Sequence, residues 1–295
     1  MKKILLLISA MFVTVSLFGQ GLVNVTPDVR TSGMADAYTA MYGKGFSIYT
    51  NSASAALSDD DFAISASYSS WQPEMTDNNN FALGAFYKLS DRYTVSLGFR
   101  GQMMKTGVFV GDKSTNLSVD ASFGMHIIEG FAAAINLHFF YDMLMTGTQG
   151  IGGGADIDLM YSRKYFNVAL SARNLGVMSY PSGTSMLPMD IRLGYSGDYE
   201  VVDDILDITP AVDVNYLLNS STVTAGIGAE FEFIDMISLR GGYRFSADNS
   251  WWPSYATVGI GVEFFDFAID AAYYIGTGVT DVLTNSFKVG LSYKF

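Results

Sequence analysis

Phe287-Lys288-Val289-Gly290-Leu291-Ser292-Tyr293-Lys294-Phe295, the carboxyl-terminal stretch, sets an apolar or aromatic side chain at every odd position and a small, polar or basic one between. A period of two is the repeat of a β-strand with one greasy face and one polar face. Two environments accept such a strand. In a soluble sandwich the apolar face meets a core and the polar face meets water, whereas in a membrane barrel the apolar face meets lipid and the polar face lines the lumen.

At the other end, Lys2 and Lys3 precede an apolar run from Ile4 to Ala10 that continues through Met11 to Phe18. That order predicts a signal peptide over residues 1–19, cleaved before Gln20, and so export through the inner membrane. A retained anchor is the rival reading, but the run is shorter than the ~20 residues a spanning helix needs. No apolar run of that length recurs after Gly21. If the mature chain enters a membrane, it does so as a barrel or by surface contact.

Thirty glycines, eighteen tyrosines and twenty-one phenylalanines favour strands, and six prolines leave few breaks. The absence of cysteine removes disulfides and thiol chemistry. The formal charge of −12, which becomes −14 once Lys2 and Lys3 leave, argues against nucleic acid as a partner.

Between Asp61 and Phe295 the period of two recurs in about fourteen segments of roughly the 9 to 11 residues a tilted membrane strand requires. Tyr93-Val95-Leu97-Phe99 alternates with Thr94, Ser96, Gly98 and Arg100, and Ile135-Leu137-Phe139 alternates with Asn136 and His138. Val223-Ala225-Ile227-Ala229-Phe231-Phe233 faces away from Thr224, Gly226, Gly228, Glu230 and Glu232. Charges keep to one phase. Short connections, such as Leu89 to Arg92, Ile127 to Gly130 and Phe265 to Asp266, alternate with long ones at Met103 to Lys113, Met143 to Gly150, Gly176 to Met189 and Ala247 to Ser254. Short turns on one rim and long loops on the other are the asymmetry of the outer membrane, with the short rim periplasmic. Gly197 to Asp204 is the exception, longer than a periplasmic turn needs.

The expectation is therefore an all-β fold, a transmembrane antiparallel β-barrel of about fourteen strands over residues 61–295, surrounded by outer-membrane lipid. Residues 20–60, rich in Ala, Ser, Gly and Thr, lose the alternation and predict a plug or hatch inside the lumen. A disordered periplasmic tail is the alternative, but Met34, Tyr38, Met41, Tyr42, Phe46, Ile48 and Tyr49 are too many apolar side chains for one.

The stretch Arg30-Thr31-Ser32-Gly33-Met34-Ala35-Asp36-Ala37-Tyr38, followed by Asn51-Ser52-Ala53-Ser54, resembles the amino-terminal region of FadL-like barrels, with Ser52 and Ser54 where that group has Pro and Gly. Ala172-Arg173-Asn174-Leu175-Gly176, Leu187-Pro188-Met189-Asp190-Ile191-Arg192-Leu193-Gly194 and Leu239-Arg240-Gly241-Gly242-Tyr243-Arg244 resemble the PorV/PorQ branch of that group. The resemblance implies a fourteen-stranded barrel with an inserted amino-terminal plug. From the branch it implies an accessory barrel of Bacteroidetes type IX protein secretion, binding secretion proteins through its long apolar loops. That is the main expectation; the alternative, from the wider group, is uptake of hydrophobic small molecules such as fatty acids or aromatics.

Motifs of chemistry are scarce, and no enzyme, metal or cofactor is expected. His126 and His138 lie on different strands and read as lining or rim residues. Asp59-Asp60-Asp61 could bind calcium but reads better as the turn before the first strand. Gly150 to Gly154 lacks the Lys-Ser/Thr of a phosphate loop. The expected lumen and plug network is Arg30, Asp36, Asp120, Asp142, Arg173, Asp190, Arg192, Glu230, Glu232, Arg240 and Arg244, with Asp156, Asp158, Asp213, Glu263 and Asp270 on the same phase. These charges either pair with one another and the plug or line a polar path. Met103, Met104, Phe109, Met143, Met145, Trp251 and Trp252 are the expected loop contacts, for a greasy ligand or a protein partner, or packed on each other beside the aromatic girdle.

Overall fold

The computed structural model of the chain describes residues 26–73, 77–105, 113–144, 147–247, 254–276, 283 and 285–295. The expected signal peptide and the positions Phe109, Met145, Trp251 and Trp252 lie outside the described residues. Strands carry most of the chain: β1 (Phe62–Trp71), β2 (Asp77–Ser90), β3 (Tyr93–Lys105), β4 (Lys113–Ile128), β5 (Phe131–Met143), β6 (Gln149–Arg163), β7 (Phe166–Tyr180), β8 (Gly183–Met186), β9 (Asp190–Gly197), β10 (Tyr199–Val202), β11 (Leu206–Leu217), β12 (Thr222–Phe233), β13 (Ile237–Ser246), β14 (Tyr255–Phe264), β15 (Phe267–Gly276) and β16 (Phe287–Lys294). The four-residue β8 and β10 are side pairings; the other fourteen close into an antiparallel barrel, each bonded to its neighbours around the ring.

The terminal strand closes that ring. β16 pairs with β1 from Ala63 opposite Lys294 to Ser70 opposite Phe287, and Asp61 and Phe62 both donate their amides to the Phe295 carbonyl, at 2.9 and 3.0 Å. With no free edge in the ring, backbone groups are satisfied between strands, as lipid demands.

Burial is inverted relative to a soluble protein. On β5 the polar phase is hidden, with Asn136 0% and His138 6% exposed, while Leu137 is 60% exposed; on β12 Glu230 is 1% and Ile227 60% exposed. An apolar exterior running round every strand has no stable contact with water. It is the lipid-facing band of a membrane barrel.

Turns of two or three residues at 91–92, 129–130, 164–165, 203–205, 234–236 and 265–266 lie at the rim that holds Phe295, the periplasmic rim by the outer-membrane rule. The opposite rim is uneven. β2 to β7 run 13 to 16 residues, more than a bilayer crossing needs, while β11 to β16 run 8 to 12. This extra height corrects the loop expectations. Met103 is on the outer face of β3, Met104 turns inward at 5% exposure, and Met143 is the last residue of β5. Gly176 to Met189 is likewise no irregular loop, because β7 continues to Tyr180 and folds back as β8.

Candidate functional site in the barrel lumen

Residues 26–57 run through the inside of the barrel. They contain three short helices, α1 (Val29–Ser32), α2 (Ser47–Thr50) and α3 (Ala53–Leu57), with a 3₁₀ turn at Lys44–Phe46. From Thr26 to Ala56 each residue is buried except Arg30, Asp36, Tyr42 and Lys44, which are half-buried. Asp28 caps α1 through its carboxylate, which accepts the Arg30 amide at 3.2 Å and the Thr31 hydroxyl at 2.9 Å. Burial lifts that carboxyl to about 6, partly opposed by the Thr31 hydroxyl.

Close approach of this inner segment to the wall is possible because the inward phase carries glycines where they meet. A Cβ on Gly228 would stand 2.6 Å from the Met34 Cβ and carbonyl oxygen, one on Gly242 2.6 Å from the Met34 carbonyl carbon, and one on Gly84 2.5 Å from the Gly45 carbonyl. In the alternation alone Gly228 is only a spacer in the polar phase. The signal was available: a run of small residues in residues 20–60 needs small residues opposite.

Wall side chains then hold the segment at successive points. Asp213 accepts the Tyr38 amide at 3.1 Å, the Thr39 amide at 3.0 Å and the Thr39 hydroxyl at 2.6 Å. Asp158 accepts the Ser52 amide at 2.9 Å, with Asn136 and Ser171 also donating to it. Asn51, at the head of the Asn51-Ser52-Ala53-Ser54 stretch, donates to the Thr39 and Leu159 carbonyls and accepts the Ala53 amide at the start of α3. Lys288 is fully buried and donates to the Thr26 carbonyl at 2.6 Å and the Ser32 hydroxyl at 2.8 Å, with its ammonium 5.6 and 5.2 Å from the centres of the touching Trp71 and Tyr274 rings. Asp36 accepts from Tyr255 and, at 3.2 Å, from Tyr274.

The expected charge network divides into two groups. On one side Glu230 joins Arg30, at 2.6 Å, to Arg240, and Arg240 reaches Asp270 at 2.6 Å. On the other a belt crosses five strands: Arg100 lies 3.6 Å from Asp120, Asp120 2.6 Å from His138 Nδ1, His138 Nε2 2.8 Å from Asp156, and Asp156 3.4 Å from Arg173. Tyr49 donates to Asp120 at 2.8 Å, Arg173 donates to the Tyr38 hydroxyl at 3.0 Å, and Arg192, paired with Asp190, stacks 4.6 Å over the Tyr38 ring. Four expected members stand apart, the first being Asp36 with its two tyrosines. Asp142 accepts from Tyr180 at 2.7 Å, Arg244 donates to Thr224 at 2.8 Å, and Glu232 lies toward the periplasmic rim of β12. His138, Tyr38, Tyr49 and Lys288 were outside the expected network; their phase on the strand, or their place in the inner segment, marked them.

The stretches Arg173-Asn174 and Leu187-Pro188-Met189-Asp190 meet where β7 changes partners. Below Arg173 it pairs with β9, above Val177 with β8, and Asn174 at the junction has φ +58°. The Asn174 amide donates to Asp156 at 2.7 Å and its side chain to the Pro188 carbonyl at 3.1 Å. Leu187, with Phe140 and Met178, fills the lumen mouth beside it.

Among the described residues the inner segment occupies the lumen. A cavity bounded by Pro27, Ser69, Asn80, Arg100 and Lys288 has a volume of about 20 Å³, room for one water and far below the ~150 Å³ that holds a benzene ring. Among the described residues no set of His, Cys, Asp or Glu is placed to hold a metal.

No protein-family model matches the chain, and no curated protein does. Solved structures do match its fold. The toluene transporter TbuX of Ralstonia pickettii superposes with a TM-score of 0.63 at 12% identity, covering 93% of this chain and 98% of that one. The toluene transporter TodX of P. putida gives 0.63 at 12% identity over 92% and 98%, and a FadL homologue of Pseudomonas aeruginosa gives 0.62 at 10% over 92% and 99%. The fold is thus that of FadL-type outer-membrane barrels.

Proposed function

We propose that this barrel is a gated outer-membrane conduit for hydrophobic small molecules. The reading is carried by one observation: nearly the whole chain shares its architecture with hydrocarbon channels and transporters. The inner segment is the gate, since the cavity beside it has room for a single water and no aromatic ring passes without its displacement. Its hold on the wall is mostly polar, so a shift of residues 33–39 exchanges hydrogen bonds for water without exposing a large apolar core.

The test is a reversible lock. A Cβ on Gly290 would stand 3.4 Å from the Val29 Cβ of α1, close to disulfide spacing and no nearer than 3.4 Å to any backbone atom, and the chain has no other cysteine. The Val29→Cys/Gly290→Cys variant, which ties the inner segment to β16, should take up labelled toluene at less than a tenth of the wild-type rate when oxidised and recover on reduction. Equal uptake in both redox states contradicts the gate.

A second reading, an accessory barrel of type IX secretion, is favoured by the occupied lumen and by the Arg173-Asn174 and Pro188 stretches gathered at the β7 junction. On that reading a deletion strain fails to release or attach secreted cargo, while hydrocarbon uptake is unchanged.

A further inference from the structure

The periplasmic connection that is too long for a turn has a structure of its own. β9 and β10 follow β11 as a single course, interrupted between Ser196 opposite Ala211 and Tyr199 opposite Ile208. The interruption falls at Pro210, which has no amide to donate. Beyond it the course continues past the rim, because β7 has already begun at Phe166, opposite Gly197. The flank of β10 away from β11 therefore has no strand partner among the described residues. Its four residues, Tyr199-Glu200-Val201-Val202, are all exposed and span about 13 Å at the usual rise of a strand. Natural edges are commonly blunted by Lys or Pro. This one carries neither, and three of its four residues are good strand formers.

Its charge is one-sided. From Leu193 to Leu239 the chain contains no Lys or Arg, while Asp198, Glu200, Asp203, Asp204, Asp207, Glu232 and Asp235 lie on or beside the hairpin. Glu200 is directly opposite Asp207, and Asp207 directly opposite Glu232. Like charges in such register are destabilising. The basic side chains around the hairpin are engaged elsewhere: on the adjoining turn Arg163 bonds Glu129 and Tyr161 and Lys164 lies over Tyr165, while Arg30 and Lys44, whose charges reach Glu232, are paired with Glu230 and Glu263. Nor do these carboxylates form a metal-binding set.

We propose that the free side of β10 is a docking edge for an extended, basic segment of a periplasmic protein, which adds as a further strand. The backbone supplies the hydrogen bonds and the acidic row selects lysine or arginine at alternate positions. The proposal stands whether or not the barrel carries hydrocarbons, because the edge lies outside the lumen.

The experiment uses the full chain in a neutral detergent and a fluorescent nonapeptide alternating Lys and Val, with a Glu/Val peptide as control. The Lys/Val peptide should bind, and the Glu/Val peptide should not. Affinity should fall at least tenfold in Val201→Pro and in Asp203→Lys/Asp207→Lys, each checked as a folded barrel by its heat-dependent gel mobility. N-methylation of alternate amides of the Lys/Val peptide should abolish binding on the unmodified protein. Absence of binding to the wild type overturns the proposal, as does binding indifferent to both Val201→Pro and N-methylation, which is charge attraction without strand addition.

Discussion

A methyl group is the scale at which the inner segment is fixed. Gly228 and Gly242 let the Met34-Ala35 backbone lie against the wall, and a Cβ at either would stand closer than van der Waals contact to that backbone. Gly228→Val should thus displace the segment while leaving strand pairing intact. Combined with Met34→Cys, the only thiol in the chain, it should raise labelling by a membrane-impermeant maleimide from near zero to most of the protein. Unchanged labelling would mean that the wall yields instead. This role was hidden in the sequence for a physical reason: glycine in the polar phase fits the alternation whether it faces water or another backbone. Partnerships such as Arg30 with Glu230, separated by 200 positions, depend on how the barrel closes and cannot be read from spacing.

Along the strands, much more was legible. Lipid imposes the same demand on every crossing, so the outward phase repeats strictly, and the phases of Leu97, Ile227 and Val289 are those observed. Strand ends were less so. The extra height of β2 to β7 leaves the bilayer without losing its pairing, which put Met103, Met104 and Met143 on strands instead of loops. Between these tall strands the Arg100-Asp120-His138-Asp156-Arg173 belt is a cross-tie, of which the expected network held Asp120 and Arg173, with Asp156 on the same phase, while Arg100 and His138 were marked only by their inward phase. His138→Ala leaves two buried carboxylates without the group between them, a loss of order 3–5 kcal/mol. The expected readout is a lower temperature for the heat-dependent mobility shift, with His138→Gln, which keeps a donor to one carboxylate, recovering part of it. A variant as heat-resistant as the wild type would remove the belt from the stabilising interactions.

The whole molecule combines a lipid-facing exterior, a closed ring of fourteen strands and a lumen occupied by its own amino-terminal segment. The alternation and the turn asymmetry pointed to the first two, in line with the expected export signal. The third followed from composition alone, since residues 20–60 are too apolar for a tail and too irregular for a strand, yet their path had to come from the structure. Conductance across a planar bilayer tests the combination most directly. The account predicts that the wild-type barrel is electrically silent and that a variant lacking residues 26–57, folded by its gel mobility, opens a steady pore. A conducting wild type, or a silent deletion variant, would contradict it.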